Sequence, residues 1–418
     1  MTTALTAAWT KIDGGVTAPK GYRAAGITVG LKPSGQPDLA LIVSDVETIA
    51  AGVFTTSQVR AACVDYCRQR LQEKLSARVI LCNAGQANAA TGDQGWADAI
   101  ESAEAVAQAL NLSADEVLIA STGVIGRRIK MDALKAGISP LVAALSETGS
   151  DAAAKAIITT DLITKSVALE TTLHDRPVRI GGICKGSGMI HPNMATMLAF
   201  VTCDAAVSPN LWQDMVRRAA ARSFNQITVD GDTSTNDCLL ALANGQSRTP
   251  AITEMGPDAE LLEAMLTQVC IDLAKAIARD GEGATCLVEV QVCGASNEEQ
   301  ARQVARTIAG SSLVKSAIFG RDPNWGRIAA AAGRSGVSFN QNELRIHLGD
   351  FHLMEKGQPL PFDRPAASAY LKAKAAGAYL QDDTVLIRVS LGEGPGQGTA
   401  WGCDLSYDYV RINAEYTT

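Results

Sequence analysis

Histidine and long apolar runs are scarce in this sequence, and each scarcity argues against a class of protein. Only 4 of the 418 residues are histidine, and no two of them have the i, i+4 spacing of a zinc-binding helix, so we expect no metal site. No run of about 18 apolar residues occurs, and no basic segment precedes an apolar one near the N-terminus. We therefore expect a cytoplasmic protein with no membrane partner.

Charge is also low, and cysteine lacks the spacing of metal or redox motifs. Charged residues make up 19% of the chain against 47% hydrophobic residues, which indicates a globular protein. The balance of 37 basic and 44 acidic residues gives a net charge of −7, which argues against a nucleic-acid partner. The 10 cysteines never occur as Cys-x-x-Cys, so we expect reduced, mostly buried thiols.

The order of the elements favours stacked layers of helices and sheets. Short β-branched runs broken by Gly and Pro predict strands through the first 95 residues. Later strands occur in clusters between helical patterns rather than in strict β-α-β alternation, so we predict an α/β fold of layered α+β type and not a doubly wound sheet. The length predicts two domains, or one large domain with a lobe. The predicted helices are 96–110, 131–145, 152–158, one around 211–219, 257–280, one from 297, and 364–376.

Six stretches combine Gly, Asn and small polar residues in a way that allows backbone N–H groups to approach a ligand closely. Each alone is a weak signal, because Gly-rich turns are common. For 121–126, the structural alternative is a turn after a strand at 117–121. The stretches are 83–92, 121–126, 185–196, 229–237, 279–285 and 320–326.

The stretch 185–196 ends at Thr196, where an apolar strand begins. One interpretation is a loop that enters a strand. The other is a nucleophile, because a threonine hydroxyl needs a nearby base and, where histidine is scarce, its own α-amine can serve. That amine exists only if the Ala195–Thr196 bond is cut, and its ordinary pKa of about 7.7–8.0 suits a base at neutral pH.

Several long motifs resemble those of the ornithine acetyltransferase family, also called glutamate N-acetyltransferases, the bifunctional enzymes of arginine biosynthesis. The resemblance spans the chain from Thr17-Ala-Pro-Lys-Gly-Tyr22 to the last residue. It rests on Gly52-Val-Phe-Thr-Thr56, Gly186-Ser-Gly-Met-Ile-His-Pro-Asn-Met-Ala-Thr-Met-Leu198, Asp280-Gly-Glu-Gly-Ala-Thr285, Gly320-Arg-Asp-Pro-Asn-Trp-Gly326 and Arg411-Ile-Asn-Ala-Glu-Tyr-Thr-Thr418.

The resemblance implies a self-cleaving enzyme with a fold like that of the DmpA-like aminopeptidases and a smaller C-terminal α/β lobe at about 286–400. Cleavage between Ala195 and Thr196 would give an α chain, 1–195, and a β chain, 196–418, assembled as two of each. Thr196 would be the nucleophile, and Thr122 and Gly123 would form the oxyanion hole. The substrate contacts implied are Thr159, Lys185, Thr196, Glu282, Asn413 and Thr418, with Thr160 an alternative to Thr159.

The implied reaction moves an acetyl group from N2-acetyl-L-ornithine to L-glutamate through acetyl-Thr196, with ping-pong kinetics. The resemblance also allows acetyl-CoA as a donor, and it implies no bound cofactor. Three alternatives stay open at this point: an enzyme that only recycles acetyl groups, an amidohydrolase or aminopeptidase that uses water as the acceptor, and a non-catalytic protein that binds anions through its Gly-rich loops.

Overall fold

The structure is a computed structural model that describes residues 8–191 and 197–415. In chain order, its strands are β1 (Thr10–Ile12), β2 (Tyr22–Ile27), β3 (Leu39–Ser44), β4 (Ile49–Phe54), β5 (Val79–Gln86), β6 (Val117–Val124), β7 (Lys165–Leu173), β8 (Arg176–Lys185), β9 (Leu198–Cys203), β10 (Cys238–Ala243), β11 (Leu287–Gly294), β12 (Arg345–Leu348), β13 (Phe351–Glu355), β14 (Gln358–Pro359), β15 (Thr384–Ser390) and β16 (Gly394–Cys403). The α-helices are α1 (Ala62–Glu73), α2 (Gly92–Leu110), α3 (Met131–Ala143), α4 (Ser150–Ile157), α5 (Pro209–Arg222), α6 (Pro257–Arg279), α7 (Glu298–Ala309), α8 (Ser312–Phe319), α9 (Trp325–Gly333), α10 (Arg364–Ala375) and α11 (Tyr407–Glu415).

A six-stranded sheet in the order β1-β7-β8-β9-β10-β4 forms the central layer. Its β9 and β10 are parallel, with Leu198 opposite Cys238, and its other neighbours are antiparallel. Every residue of β9 is buried, because the sheet is covered on both faces. Leu198 and Phe200 belong to the core on one face, while Ala199 and Val201 belong to the core on the other, as the twofold period of a strand requires.

A four-stranded sheet, β2-β3-β5-β6, forms a second layer. Helix α4 packs against β2 and β3 of this sheet and also against β8 of the central sheet. On the remaining face of the central sheet, α5 packs against β4, and α6 packs against β7 and β8. This arrangement of stacked helices and sheets confirms the predicted layered α/β class.

The C-terminal lobe is built on a third sheet, β14-β13-β12-β15-β11-β16, with its own core. Helix α7 packs against β11 and β16 of this sheet and against α9. Asn297 caps α7 by accepting a hydrogen bond from the Gln300 N–H at 2.9 Å, which agrees with the helix start predicted there. In the described part of the chain, no helix is long and apolar enough to cross a membrane.

Helix α1, at 62–73, was not predicted, because only strands were predicted before residue 95. The buried residues of α1 recur at helical spacing; they are Cys63, Val64, Tyr66, Cys67 and Leu71. Polar residues between them fill the outer face. By contrast, the limits predicted for α6 and α10 agree with the structure to within one residue.

Candidate active site

A cavity of about 180 Å³ lies where the four-stranded sheet meets the central sheet. All but one of the six Gly- and Asn-rich stretches contribute to its wall; the exception is 320–326, where Asn324 instead caps α9. The residues of the wall are Ala87, Thr122, Gly123, Ile125, Thr159, Thr160, Lys185, Gly186, Gly188, Met189, Ile190, Met197, Leu198, Asp230, Asp232, Ser234, Thr235, Asn236, Asp237, Glu282, Tyr409 and Asn413.

Thr122 and Gly123 lie inside β6, which runs to Val124, so the turn considered for them after residue 121 is wrong. Here β6 runs parallel to β5 and pairs Gly123 with Gly85. The φ of Gly123 is +127°, and a Cβ atom on it would lie 2.3 Å from the Gly85 carbonyl carbon. Only glycine fits this close approach of two strands. The approach brings the Thr122 hydroxyl and the neighbouring backbone to the cavity wall.

Lys185 ends β8 directly opposite Leu198, the first residue of β9. Its Nζ donates a hydrogen bond to the Thr122 Oγ1 at 3.1 Å. This contact joins the central sheet to the four-stranded sheet across the cavity. An ammonium and a hydroxyl in contact at a partly buried wall favour a bound anion or a developing negative charge.

The carboxylate of Glu282 borders the same cavity and is held by the C-terminal helix. The Asn413 Nδ2 donates to the Glu282 Oε2 at 2.7 Å. A Cβ atom on Gly188 would lie 2.5 Å from the Glu282 carboxyl, so the absence of a side chain at Gly188 makes room for that group. Burial and the charges of Asp230 and Asp232 raise the pKa of the adjacent Tyr409 to about 12. This part of the wall is acidic and suits an ammonium group.

Thr159 and Thr160 both line the cavity, so the choice between them stays open. The Thr159 N–H donates to the Asp161 Oδ2 at 3.1 Å, and the Gly186 N–H donates to the Asp161 Oδ1 at 2.7 Å. The buried Lys165 Nζ binds both Asp161 and Asp280, at 2.7 and 2.6 Å. Burial raises the pKa of Asp161, but the charges of Lys165 and Lys185 outweigh it and lower this pKa to about 2. This ion-paired group fixes the backbone on which Thr159 and Lys185 are carried.

Three acidic or amide residues of the 229–237 stretch contribute to the site, although the sequence assigned none of them a role. The Asp230 carboxylate accepts hydrogen bonds from the N–H groups of Met189 and Ile190, at 2.6 and 2.8 Å. The Asn236 Nδ2 donates to the carbonyls of Ala87 and Ser121, at 2.6 and 2.8 Å. The third is Asp237, whose pKa is raised well above the usual carboxyl value by burial.

Three of the predicted site residues, Ala195, Thr196 and Thr418, lie outside the described residues. Within 8–191 and 197–415, no group of three or more His, Cys, Asp or Glu side chains is arranged to hold a metal ion. The cavity therefore brings together Thr122, Gly123, Thr159, Lys185, Glu282 and Asn413, and its wall includes Met197, the residue that follows Thr196 in the chain.

A model of the ArgJ family matches residues 23–418. The chain belongs to the ArgJ family. Among its relatives, the arginine biosynthesis bifunctional protein ArgJ 1 of Nostoc sp. is 78% identical over 98% of this chain and 99% of its own length. The chloroplastic ArgJ protein of Oryza sativa subsp. indica is 57% identical over 98% of this chain and 89% of its own length.

A crystal structure of the arginine biosynthesis bifunctional protein ArgJ of Bacillus halodurans is also similar. It is 48% identical to this chain, covers 53% of this chain and 100% of its own, and has a TM-score of 0.50. These ArgJ matches confirm the family predicted from the motifs. The names of the relatives also agree with the predicted class of protein, a bifunctional enzyme of arginine biosynthesis.

Proposed function

We propose that this chain transfers the acetyl group of N2-acetyl-L-ornithine to L-glutamate, with Thr196 as the nucleophile. The observation that carries the proposal is the contact between Lys185 and Thr122 in one cavity with Glu282, next to the strand that begins just after Thr196. One wall offers positive charge and hydroxyl donors, and the other offers a carboxylate. A small zwitterion with an acetylated nitrogen needs these groups.

In the first half-reaction the Thr196 hydroxyl gives its proton to its own α-amine, and the oxygen attacks the acetyl carbon. Negative charge then develops on the acetyl oxygen, where the Thr122 hydroxyl and the Gly123 backbone would stabilise it. The C–N bond breaks, the departing nitrogen gains the proton that the hydroxyl lost, ornithine leaves, and an acetyl ester remains on Thr196. In the second half-reaction the amine of glutamate attacks this ester and loses a proton. The proton returns to the Thr196 oxygen as the C–O bond breaks, and N-acetylglutamate leaves.

Charge complementarity supports the assignment of the substrate contacts. Lys185 would pair with the substrate carboxylate, and Glu282, oriented by Asn413, would accept the side-chain ammonium of ornithine. Glutamate lacks that ammonium but carries a carboxylate at the same end. We expect its weaker fit near Glu282 to speed release of N-acetylglutamate. Thr159 or Thr160, and Thr418, would add further contacts.

The same hydroxyl would attack the Ala195 carbonyl and form an ester, which water opens, giving chains 1–195 and 196–418. We expect two copies of each chain to assemble. The two chains would stay together after cleavage, because β8 before the cut and β9 after it pair along their length, from Ile180–Cys203 to Lys185–Leu198. Intact mass spectrometry tests this proposal, since it reports the cleavage position and the stoichiometry together. A single uncleaved chain of full length would contradict it.

Thr196→Ala and Thr196→Ser form the matched pair that tests the nucleophile. Alanine removes the hydroxyl, so we expect no cleavage and no ornithine release from N-acetylornithine. Serine retains a hydroxyl and an α-amine, so we expect cleavage and measurable activity. Full activity of Thr196→Ala would show that the nucleophile is another residue.

The choice of acceptor separates transfer from hydrolysis. We expect ornithine release to require added glutamate, with double-reciprocal plots that are parallel, as ping-pong kinetics requires. Release at the same rate without glutamate would assign an amidohydrolase instead.

We also propose that acetyl-CoA can serve as a donor to glutamate. Formation of N-acetylglutamate from glutamate and acetyl-CoA tests this second activity. Product at the background level would leave an enzyme that only recycles acetyl groups. The cytoplasmic location expected from the sequence remains a prediction.

A further inference from the structure

A buried carboxyl group, that of Asp237, borders the cavity and has no part in the steps above. Asp237 directly precedes β10 and is 2% exposed. Its Oδ2 accepts no hydrogen bond from any residue in the described ranges. A buried acceptor without a partner costs free energy, so a group of this kind needs an explanation.

The neighbours of this carboxyl put it beside the start of β9. The Cys238 N–H donates to the Met197 carbonyl at 3.0 Å, which aligns Asp237 with Met197 across the two parallel strands. Met197, which follows the proposed nucleophile in the chain, lines the same cavity as Asp237.

The surroundings of Asp237 favour its protonated form. Burial raises its pKa well above the usual value, against the opposing effects of hydrogen bonds from Ser234 and Met197 and the charge of Lys185. A protonated carboxyl can donate a proton from one oxygen and accept a proton on the other. Asp237 can therefore pass a proton on while it stays neutral overall.

The acetyl transfer requires a proton transfer of this kind. When the C–N bond of N-acetylornithine breaks, the nitrogen leaves with the electron pair of that bond and must gain a proton. The proton that the Thr196 hydroxyl lost is by then on the α-amine of the same residue. A carboxyl that borders the cavity beside Met197 can move the proton from the α-ammonium to the departing nitrogen.

We propose that Asp237 is a proton-transfer residue of this reaction. Its carboxyl gives its proton to the departing nitrogen and takes the proton of the α-ammonium on its other oxygen. The reverse transfer occurs when the amine of glutamate attacks the acetyl ester. In self-cleavage the departing nitrogen is that of residue 196, and the carboxyl takes the hydroxyl proton while it gives its own to that nitrogen. This inference rests on the function proposed above.

Asp237→Asn tests the proposal with two acetyl donors, both measured on protein that has completed self-cleavage, a step that we expect the substitution to slow. Asparagine keeps the shape of the side chain but cannot pass a proton. With N-acetylornithine, whose amine must be protonated to leave, we expect kcat to fall about 100-fold or more while KM changes by less than about threefold. With p-nitrophenyl acetate, whose phenolate leaves without a proton, we expect the first-turnover rate to stay within about threefold of the wild type.

Asp230→Asn is the matched control. Asp230 also lines the cavity and is half-buried, but both of its oxygens accept N–H groups of the chain. Its loss disturbs the loop at Met189 and Ile190 and removes no transferable proton. We expect this variant to slow the amide and the ester donors by the same factor. Equal slowing of the two donors by cleaved Asp237→Asn, or no slowing of either, would overturn the proposal.

Self-cleavage gives a second readout. If Asp237→Asn is folded but uncleaved, cleavage by Asp237→Glu supports the proposal, because glutamate retains a transferable proton. Failure of both folded variants to cleave overturns it, and loss of folding in both assigns Asp237 a packing role instead. Absence of acetylated Thr196 in the wild type after treatment with the ester would overturn the proposed function itself.

Discussion

Two buried carboxyl groups beside the cavity, those of Asp161 and Asp237, have opposite surroundings. The Asp161 carboxylate accepts hydrogen bonds from the Lys165 Nζ and the Gly186 N–H, whereas the Asp237 Oδ2 has no partner among the described residues. Burial raises the pKa of both groups, but at Asp161 the lysine charges outweigh it, and at Asp237 they do not. The Asp161 carboxylate is thus stabilised by a lysine in direct contact, and the Asp237 Oδ2 has no such contact among the described residues.

The two groups accordingly suit different tasks. Asp161 is ionised and ties the backbone of Thr159 and Gly186 to the core, so its contribution is to the geometry of the site. Asp237 has a raised pKa and borders the cavity beside Met197, which suits it to the proton transfer proposed above. Substitutions at these groups and at their lysine partners test this contrast.

Lys165→Met removes the cation that both Asp161 and Asp280 contact. The Lys165 side chain is 0% exposed, so two buried carboxylates would lose their principal counter-ion. We expect a loss of about 3–5 kcal/mol in the free energy of unfolding, measured by urea denaturation at pH 7. A loss below about 1 kcal/mol would mean that the ion pairs are not the main support of this segment.

Asp161 should make the free energy of unfolding decrease at acid pH. Its folded-state pKa, about 2, is below the unfolded value of about 3.9, so its contribution is present above pH 4 and is lost as the pH falls toward 2. We expect this group to account for about 2–3 kcal/mol of the decrease between pH 5 and pH 2. Urea midpoints of Asp161→Asn should lack that part of the decrease. The same decrease of stability with pH in Asp161→Asn and in the wild type would contradict the low pKa assigned to Asp161.

Asp237 should act in the opposite direction. Its folded-state pKa is raised, so its contribution is present below the unfolded pKa of about 3.9 and is lost as the pH rises toward the folded-state value. Over that pH range the free energy of unfolding of the wild type should fall by up to about 1.4 kcal/mol per pH unit relative to that of Asp237→Asn. Urea denaturation of both proteins from pH 4 to pH 8 measures this difference. The free energy of unfolding of the variant minus that of the wild type should rise from pH 4 to pH 8. A decrease of this difference would contradict the prediction.

Lys135→Met is the surface counterpart of Lys165→Met. Lys135 contacts Glu101 at 2.6 Å, yet the two side chains are 42% and 47% exposed. Because solvent and salt screen an exposed pair, we expect a change of about 0–1 kcal/mol in the free energy of unfolding. A change as large as that of Lys165→Met would show that burial is not what separates the two pairs.

Much of the fold could be predicted from local patterns. The long apolar periods of α2, α3, α6 and α10 were sufficient to predict these helices. The helix α1 was missed because its apolar residues are interrupted by charged ones and because strand-like runs precede and follow it. The extent of β6 was also missed, since glycine at 123 suggested a turn, and its pairing with β5 keeps that glycine in the strand.

The site was predicted in outline from the resemblance to a family. One cavity brings together residues that are up to 291 positions apart in sequence, as that resemblance required: Thr122, Lys185, Glu282 and Asn413. The roles of Asp161 and Asp237 were not predicted. The signal for Asp237 was its place in the polar stretch 229–237, but a carboxyl in such a stretch is usually solvated, and only burial distinguishes it.

Periodicity and ordered motifs depend on neighbouring residues, so they were enough to predict the layered class, most helices, the family and the motifs that carry the chemistry. The structure was needed to find the surroundings of each buried carboxyl, the need for glycine at 123 and 188, and the alignment of β8 and β9 on either side of the predicted cut. These properties depend on contacts between distant segments. Burial and the distance to a charge are set there, and no local pattern records them.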